Sequence, residues 1–394
     1  MFNLFQIGVR KLNRWEDISV FVIVLTNYHW ILAPVCVGPY SQTNTLRSAL
    51  HFLAGQIGLK PSTMELRSSW TLQLEQCWRN VASVLDALDG SSLENLFSTL
   101  VYVIPEVYQN PSALDLIQSI SNEQIRENGS IVPGVIDSTQ SDLYGGYEDE
   151  GTWLEMQREK EVISSTSCPL LLVSIHEMPK LAAIEIEVTT ITQKLATMLE
   201  RRDIHSSHKW ERKLNTMNGS LEWDTGHSMS TPSPEGNSGV RIDVMAKVIG
   251  HRCAASVLGT ASADTSVSDL NPTSLLSDLF ASIDKILASA RSGLSQKDVV
   301  NVRLFYHAQR GLSEDNDIER DDGIQWRASL QTAVASWNNS KQSCAATSVV
   351  PVQGINLFNF PSRSIPLAPF IAMQVLFLDP VHMETEQVVF NGDN

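Results

Sequence analysis

The feature that most restricts the fold of this chain is a repeat of hydrophobic patterns between its two halves. A shift of 203 positions places Leu96 on Val299. The segment that begins at Leu96 has the β-rich composition of a strand, and the segment that begins at Val299 alternates as strands do. Each of these segments follows an amphipathic stretch with apolar residues at spacings of three and four, over residues 69–88 and 273–290. A repeat of this length is typical of a duplicated domain and not of a solenoid.

The order of predicted elements is β-β-α-β-α-β-β in each copy. In the first copy, Gly55-Gln56 lies between short apolar segments, which predicts two strands joined by a tight bend. In the first copy a second helix is predicted at 153–162 and two closing strands at 170–175 and 183–188. In the second copy the corresponding helix is predicted at 324–337 and the closing strands at 346–352 and 370–378. We therefore expect an α+β protein of two tandem modules, each a sheet backed by two helices.

Changes in composition give the expected domain boundaries. They are an atypical segment at 1–33, a first module at 34–192, a linker at 193–239, a second module at 240–382 and a tail at 383–394. Within the first module, residues 105–161 carry twelve acidic and three basic residues together with many turn formers. This composition predicts an extended surface insertion ahead of the second helix.

Charge and cysteine usage exclude several classes of protein. With 44 acidic and 29 basic residues, the net charge of −15 argues against a general nucleic-acid binder. The five cysteines lie at least 41 residues apart, so zinc ribbons and thioredoxin-type motifs are excluded and no metal is expected. The apolar run at 18–38 is interrupted by polar residues and by Pro34, so we expect no membrane span. A reducing compartment, the cytoplasm, fits best.

Three motifs near the start of the first module resemble the opening of the RidA/YjgF/L-PSP family. They are the sequences at 37–42 (VGPYSQ), 53–59 (LAGQIGL) and 61–64 (PSTM), and the segments at 178–180 and 183–187 resemble that family's last strand. The resemblance covers most of residues 34–190, whereas the second module shares only the element order. It implies a chorismate-mutase-like fold and an assembly as a trimer or, with two modules in one chain, a pseudo-trimer.

Tandem modules with an acidic insertion are similar to the C-terminal half of eukaryotic diphthine–ammonia ligases. Those proteins use ATP to amidate diphthine on elongation factor 2, so the resemblance implies diphthamide biosynthesis as the process and elongation factor 2 as a partner. Their nucleotide loop, of the type SGGKDS, does not occur in these 394 residues. We therefore expect no cofactor in this chain, ATP being bound by another domain in the parent family, and a role in assembly, docking or metabolite binding.

The resemblance also implies where a pocket would lie. In RidA deaminases an arginine holds the carboxylate of an imine substrate, and a tyrosine, a cysteine and a glutamate complete the site. Tyr40 matches the tyrosine and Glu185 the glutamate, whereas Leu170 and Leu172 stand at the arginine and cysteine positions. Those four residues, together with Gly55 and Gln56 of the second motif, are the predicted pocket lining. Leucine cannot bind a carboxylate, so these two positions argue against deamination of imino acids by this module.

Three functions stay open on the residues. The first is the assembly or binding region of a diphthine–ammonia ligase homologue. The second is a divergent imine deaminase or hydrolase that uses Tyr40 and Glu185. The third is a module without catalytic activity that binds a metabolite or regulates translation. The basic residues between 201 and 213 alternate with acidic ones, which favours a solvated helix over an RNA-binding surface.

Overall fold

The computed structural model describes residues 42–46, 49–89, 93–129, 168–193, 195–196, 240–249, 251–262, 270–289, 292–307, 319–341, 345–357 and 367–379. We call residues 42–196 the N-terminal half and residues 240–379 the C-terminal half. Within these ranges each half forms a β-sheet with α-helices on one face, which confirms the α+β class.

The elements of the N-terminal half are β1 (Thr43–Leu46), β2 (Leu50–Leu53), β3 (Gln56–Ile57), α1 (Trp70–Asp89), β4 (Leu96–Val103), α2 (Pro105–Tyr108), α3 (Pro111–Gly129), β5 (Leu170–Ser174) and β6 (Ile184–Ile191). Those of the C-terminal half are β7 (Val240–Ile249), β8 (Arg252–Ser262), α4 (Pro272–Ser289), β9 (Val299–His307), α5 (Glu319–Ser340), β10 (Ala346–Val352), β11 (Gly354–Leu357) and β12 (Leu367–Leu378).

The two sheets have the same order of corresponding strands. The first sheet runs β1-β2-β6-β4-β5-β11, with β3 also paired to β6, and the second runs β7-β8-β12-β9-β10. The pair β4–β5 of the first sheet and the pair β9–β10 of the second sheet are parallel, and the other pairs are antiparallel. The strand β11 is the exception to this correspondence, because it comes from the C-terminal half and pairs with β5 of the first sheet.

Helix α1 forms because its apolar residues recur at spacings of three and four and cover the first sheet. Leu74, Cys77, Trp78 and Val81 are fully buried on this face. The helix begins after Ser69, whose hydroxyl accepts a hydrogen bond from the Leu72 N–H at 3.2 Å. Predicted and observed ends of this helix agree within one residue.

The structure corrects the prediction for the acidic segment of the first module. Residues 105–129 form helices α2 and α3 instead of an extended insertion, whereas residues 130–161 lie outside the described residues, as does the helix predicted at 153–162. Ala113, Ile117 and Ile120 of α3 are buried at spacings of four and three, and the Trp78 indole donates to Ser121 at 3.1 Å. The helix forms despite the acidic composition of the segment, because most of the stability of a helix in a protein comes from packing of its apolar face.

The predicted tight bend at Gly55-Gln56 is also different in the structure. Both β2 and β3 pair with β6, and their registers differ by one residue, so the chain continues along β6 past a bulge. A bulge re-aims the neighbouring side chains without turning the chain back.

The two sheets pack against each other on the faces that the helices leave free. Two apolar clusters join the halves: one includes Leu50, Phe97 and Leu376, and the other includes Leu171 and Phe305. The described helices cover the opposite faces. None of the described helices is long and apolar enough to cross a membrane.

Candidate functional site between the sheets

Charged side chains lie between the two sheets. Along β6 the isoleucines at 184 and 186 point to the helices, so Glu185 and Glu187 point to the other sheet. Tyr102 on β4 is the cross-strand neighbour of Glu185 and lies on the same face. The Arg303 side chain reaches this layer from β9 of the C-terminal half.

An ion pair connects the two halves at this point. Arg303 Nη1 lies 2.6 Å from Glu187 Oε1, and the Tyr102 hydroxyl donates to Glu187 Oε2 at 3.4 Å. The side chains of Arg303 and Glu187 are 29% and 25% exposed, so water still reaches the pair. A charge-assisted contact of this kind orients both partners and excludes other anions from the guanidinium while it lasts.

Burial shifts the proton affinities of this cluster. Burial, and then the charge of Glu187, raises the pKa of the Glu185 carboxyl above its ordinary value. The pKa of the Tyr102 phenol is raised by burial and by Glu187. Burial acts to lower the pKa of Arg303, but Glu187 and Tyr102 outweigh it and the pKa lies above the ordinary value. The layer therefore holds a firmly charged arginine beside a carboxyl that takes up a proton readily.

Helix α1 holds the beginning of β6, and so Glu185, in place. The Ala183 N–H donates to Gln73 Oε1 at 2.8 Å, and Cys77 Sγ donates to the Ile184 carbonyl at 3.8 Å. Asn80 on the same helix donates to the carbonyls of Ile57 and Leu59, both at 3.1 Å. These contacts join the bulged strand, the helix and β6 at the position of Glu185.

The structure brings Gly55 and Glu185, two of the predicted pocket residues, together. A Cβ built on Gly55 would overlap the Glu185 carboxyl group, so the glycine leaves the space that this side chain fills. Gln56 is buried beside it, and its amide donates to the Ala54 carbonyl at 3.0 Å. Gln56 thus stabilises the bulge, and no hydrogen bond joins its side chain to Glu185 among the described residues. Tyr40, the other predicted pocket residue, lies outside the described residues.

Leu170 and Leu172 are not brought together with Glu185. Both belong to the core between the first sheet and its helices, whereas the alternate residues of β5, Leu171 and Val173, face the other sheet. The two leucines predicted to line the pocket therefore lie on the face of the first sheet opposite to Glu185. A side chain at 170 or 172 therefore cannot line the layer between the sheets.

Sequence reasoning missed three of the residues in this layer: Glu187, Tyr102 and Arg303. The signal for Glu187 was the alternation of two glutamates with isoleucines along β6, which puts both on one face. The signal for Arg303 was a lone charge within the apolar run of β9. The pairing of that arginine with β6 depends on how the two sheets stack, which no local pattern encodes.

The described residues contain no group of histidine, cysteine and acidic side chains suited to a metal ion. The chemistry available between the sheets is that of a guanidinium, two carboxyls and a phenol, which suits the binding of a polar small molecule or the transfer of a proton. The structure thus defines an α+β protein whose two sheets enclose a layer of charged groups.

Comparison with known proteins links this chain to the family suggested by its motifs. No family model matches the chain. A RutC family protein of Aquifex aeolicus is 38% identical over 71 residues, which are 18% of this chain and 55% of that protein. The chain therefore spans about half the length of the curated relative it matches. This similarity supports the resemblance to the RidA/YjgF/L-PSP family.

Several solved structures align with about two fifths of the chain. The YjgF gene product of E. coli is 18% identical, covers 41% of this chain and 94% of its own, and gives a TM-score of 0.28. RidA from an Antarctic Psychrobacter species is 22% identical with the same coverage and a TM-score of 0.26. Yeast Mmf1 is 16% identical, again over 41% of this chain and 94% of its own, with a TM-score of 0.28. At these identities and TM-scores, the likeness says nothing about activity.

Proposed function

We propose that this chain is a pair of RidA-like modules that binds a small molecule, within a homologue of diphthine–ammonia ligase, without catalysing a reaction of its own. The motifs at 37–42, 53–59 and 61–64 support the family, and the acidic segment at 105–161 within the first of two modules supports the ligase context. Elongation factor 2 is then the macromolecular partner, and the amide-forming chemistry with ATP belongs to the parent ligase.

One observation carries the choice of binding over catalysis. The arginine that faces Glu185 and Tyr102 comes from the C-terminal half and is paired with Glu187, and the leucines at 170 and 172 turn away from this layer. Imine hydrolysis in RidA deaminases needs an arginine free to hold the substrate carboxylate. In this chain the guanidinium already has a carboxylate partner, Glu187, and this pairing favours binding over hydrolysis of an imine.

The experiment that tests this proposal measures amidation of elongation factor 2 in cells from which the gene has been deleted. Mass spectrometry of the purified factor distinguishes diphthine, a carboxylate, from diphthamide, an amide. We expect diphthine to accumulate in the deletion strain, and both the natural protein and the variant Glu185→Gln to restore the amide. Unchanged diphthamide after deletion would contradict the ligase context.

A second candidate function is hydrolysis of a reactive imine, and the raised pKa of Glu185 favours it. A raised pKa favours the protonated form of a carboxyl, which is the form that can act as a general acid. This candidate predicts that the purified protein converts 2-iminopropanoate to pyruvate and ammonia, and that Glu185→Gln loses most of this rate. Turnover that depends on Glu185 would replace binding as the function of the layer, and its absence would support binding.

A further inference from the structure

A single large apolar side chain among the described residues is exposed to solvent. Leu181, between β5 and β6, is 80% exposed, and its neighbours Pro179 and Lys180 are exposed as well. The backbone of Leu181 has a φ of 59°, in the left-handed region that glycine and asparagine adopt at lower cost than a leucine. The fold therefore keeps an exposed leucine in a conformation that is unfavourable for it.

Two neighbouring loops hold this leucine in place. Lys180 and Met64 also have positive φ angles, of 57° and 58°, and Lys180 Nζ donates to the Met64 carbonyl at 3.2 Å. Met178 and Ala182, on either side of the exposed residues, are buried. Residues other than glycine stay in the left-handed region only where the surrounding structure fixes them, and they cluster at functional sites. We call residues 178–182 the knob.

A groove large enough for a leucine side chain lies in the C-terminal half. It has a volume of about 460 Å³ and lies between the beginning of α4 and the middle of α5. Most of its lining residues are exposed, so the groove opens to solvent. The lining is uncharged and consists mainly of small side chains: Pro272, Thr273, Gln325, Ala328, Ser329, Thr332, Ala333 and Ser336. A leucine that enters this groove is removed from water without breaking an ion pair.

Opposite charges accompany the knob and the groove. The ammonium group of Lys180 has a neutral carbonyl as its hydrogen-bond partner, so this partner does not cancel its charge. The nearest acidic residue in the sequence, Glu177, precedes the knob. The first turn of α5, at 319–322, contains three acidic residues and one arginine, and it lies about one turn before Gln325 of the groove. Bringing the knob to the groove therefore brings unlike charges together, which favours the encounter.

The knob cannot enter the groove of its own chain. The groove belongs to the helices on one face of the second sheet, and the first sheet, which carries the knob at the end of β5, packs on the opposite face. A second copy of the chain does offer the groove. Because the knob and the groove are different surfaces of one chain, such a contact is heterologous and links copies head to tail.

We propose that this chain associates with itself head to tail, with Leu181 of one copy inserted between α4 and α5 of the next. This inference does not depend on the binding of a small molecule. A contact made by one loop is small, so the association is weak and increases with protein concentration. Lys180 of one copy then lies near the acidic first turn of α5 in the next copy, so the association weakens as the salt concentration rises.

The test is sedimentation velocity on the full chain, at protein concentrations up to about 1 mM because the contact is weak. We expect the sedimentation coefficient of the natural protein to rise with concentration beyond the value for a dimer. Leu181→Asn removes the apolar side chain and suits the left-handed backbone, so the variant should fold and stay monomeric. Ala328→Arg fills the groove from an exposed helical position and should also stay monomeric.

A mixture of the two variants distinguishes a head-to-tail contact from other kinds of association. Leu181→Asn keeps an intact groove and Ala328→Arg keeps an intact knob, so one contact can form between them. We expect the mixture to give pairs of one copy each and nothing larger, since neither outer surface of the pair can extend it. The control Ala288→Arg adds the same charge at an exposed alanine near the other end of α4, and it should associate like the natural protein.

Three results would overturn the proposal. They are a natural protein that stays monomeric over the whole concentration range, association that both substitutions leave unchanged, and a mixture of the variants that stays monomeric although the natural protein associates. If circular dichroism shows that Ala328→Arg folds poorly, Thr332→Arg, at another exposed position of the groove, takes its place.

Discussion

The hydroxyl of Tyr108 makes two hydrogen bonds with the backbone of Ile355, a residue 247 positions away. It donates to the carbonyl at 2.8 Å and accepts from the N–H at 3.0 Å. The tyrosine ring lies against Gly354, where an added Cβ would overlap it. One side chain at the end of α2 thus takes the place of a neighbouring strand and fixes β11 to the first sheet.

We therefore predict that Tyr108→Phe destabilises the whole chain. Two backbone groups of Ile355 lose their partner, which costs about 1 to 3 kcal/mol in the free energy of unfolding. Urea unfolding followed by tryptophan fluorescence measures this change. The control is Tyr306→Phe on β9, because no described residue forms a hydrogen bond with its hydroxyl. Equal effects of the two variants would show that the Tyr108 contacts add nothing to stability.

The packing of Gly55 against Glu185 predicts a coupled pair. Gly55→Ala pushes the Glu185 carboxyl away from its position, so it should destabilise the protein, whereas the same change in a Glu185→Ala background should cost little. The coupling in a double-mutant cycle should be about 1 kcal/mol, within the range for residues in contact. Chemical unfolding of the four proteins measures it. Additive effects would mean that the two residues do not share this space.

The raised pKa of Glu185 predicts a dependence of stability on pH. The folded protein binds the proton of this carboxyl more tightly than the unfolded chain does, because the pKa in the folded state lies above its ordinary value of 4.5. The protein therefore loses stability as the pH rises from 4.5 to the pKa of the folded state. Glu185→Gln removes this loss. We expect the variant to be more stable than the natural protein at neutral pH, with the difference shrinking toward pH 4.5.

Urea unfolding at a series of pH values tests the prediction for Glu185. The matched control is Glu177→Gln, an exposed glutamate in the segment before β6. A stability gap between Glu185→Gln and the natural protein that widens on acidification would contradict the direction of the pKa shift.

A lysine at the edge of the second sheet gives the opposite pH dependence. Lys247 Nζ donates to the Leu96 carbonyl of the other half at 2.6 Å, and burial lowers the pKa of Lys247 from its ordinary value of 10.5. The unfolded chain then holds the proton more tightly, so stability rises with pH from the folded pKa up to 10.5. Lys247→Met should abolish this rise between neutral pH and pH 10.5, as measured by urea unfolding. The exposed Lys285→Met should leave the rise intact.

Much of the fold could be predicted from the sequence because its elements carry strong local signals. The apolar stripe of α1, the β-rich composition of β4 and the alternation of β9 predict elements within one or two residues of those observed. The segment at 111–129 was missed because its acidic and polar residues dominate the composition, although Ala113, Ile117 and Ile120 already lay on one helical face. Composition averages over all faces of a helix, whereas folding depends on one.

The candidate site was predicted only in part, because half of it comes from the packing of one sheet on the other. Glu185 and Gly55 follow from motifs in the first half, and they do meet. The ion pair with Arg303 depends on the stacking of β9 over β6, which no pattern within either strand fixes. The face of β5 that carries Leu170 and Leu172 depends on register alone, and a shift by one residue reverses it.

The crossing of the chain at Gln353 has a consequence for how this protein can change in evolution. The strand before this residue belongs to the second sheet and the strand after it to the first, and the Gln353 N–H donates to the Ser174 carbonyl at 2.8 Å. A recombination or splicing event that separates the halves between residues 196 and 240 would strip β11 from the first sheet and leave the β5 edge open to intermolecular pairing. The N-terminal half therefore depends on the C-terminal half for the edge strand of its sheet.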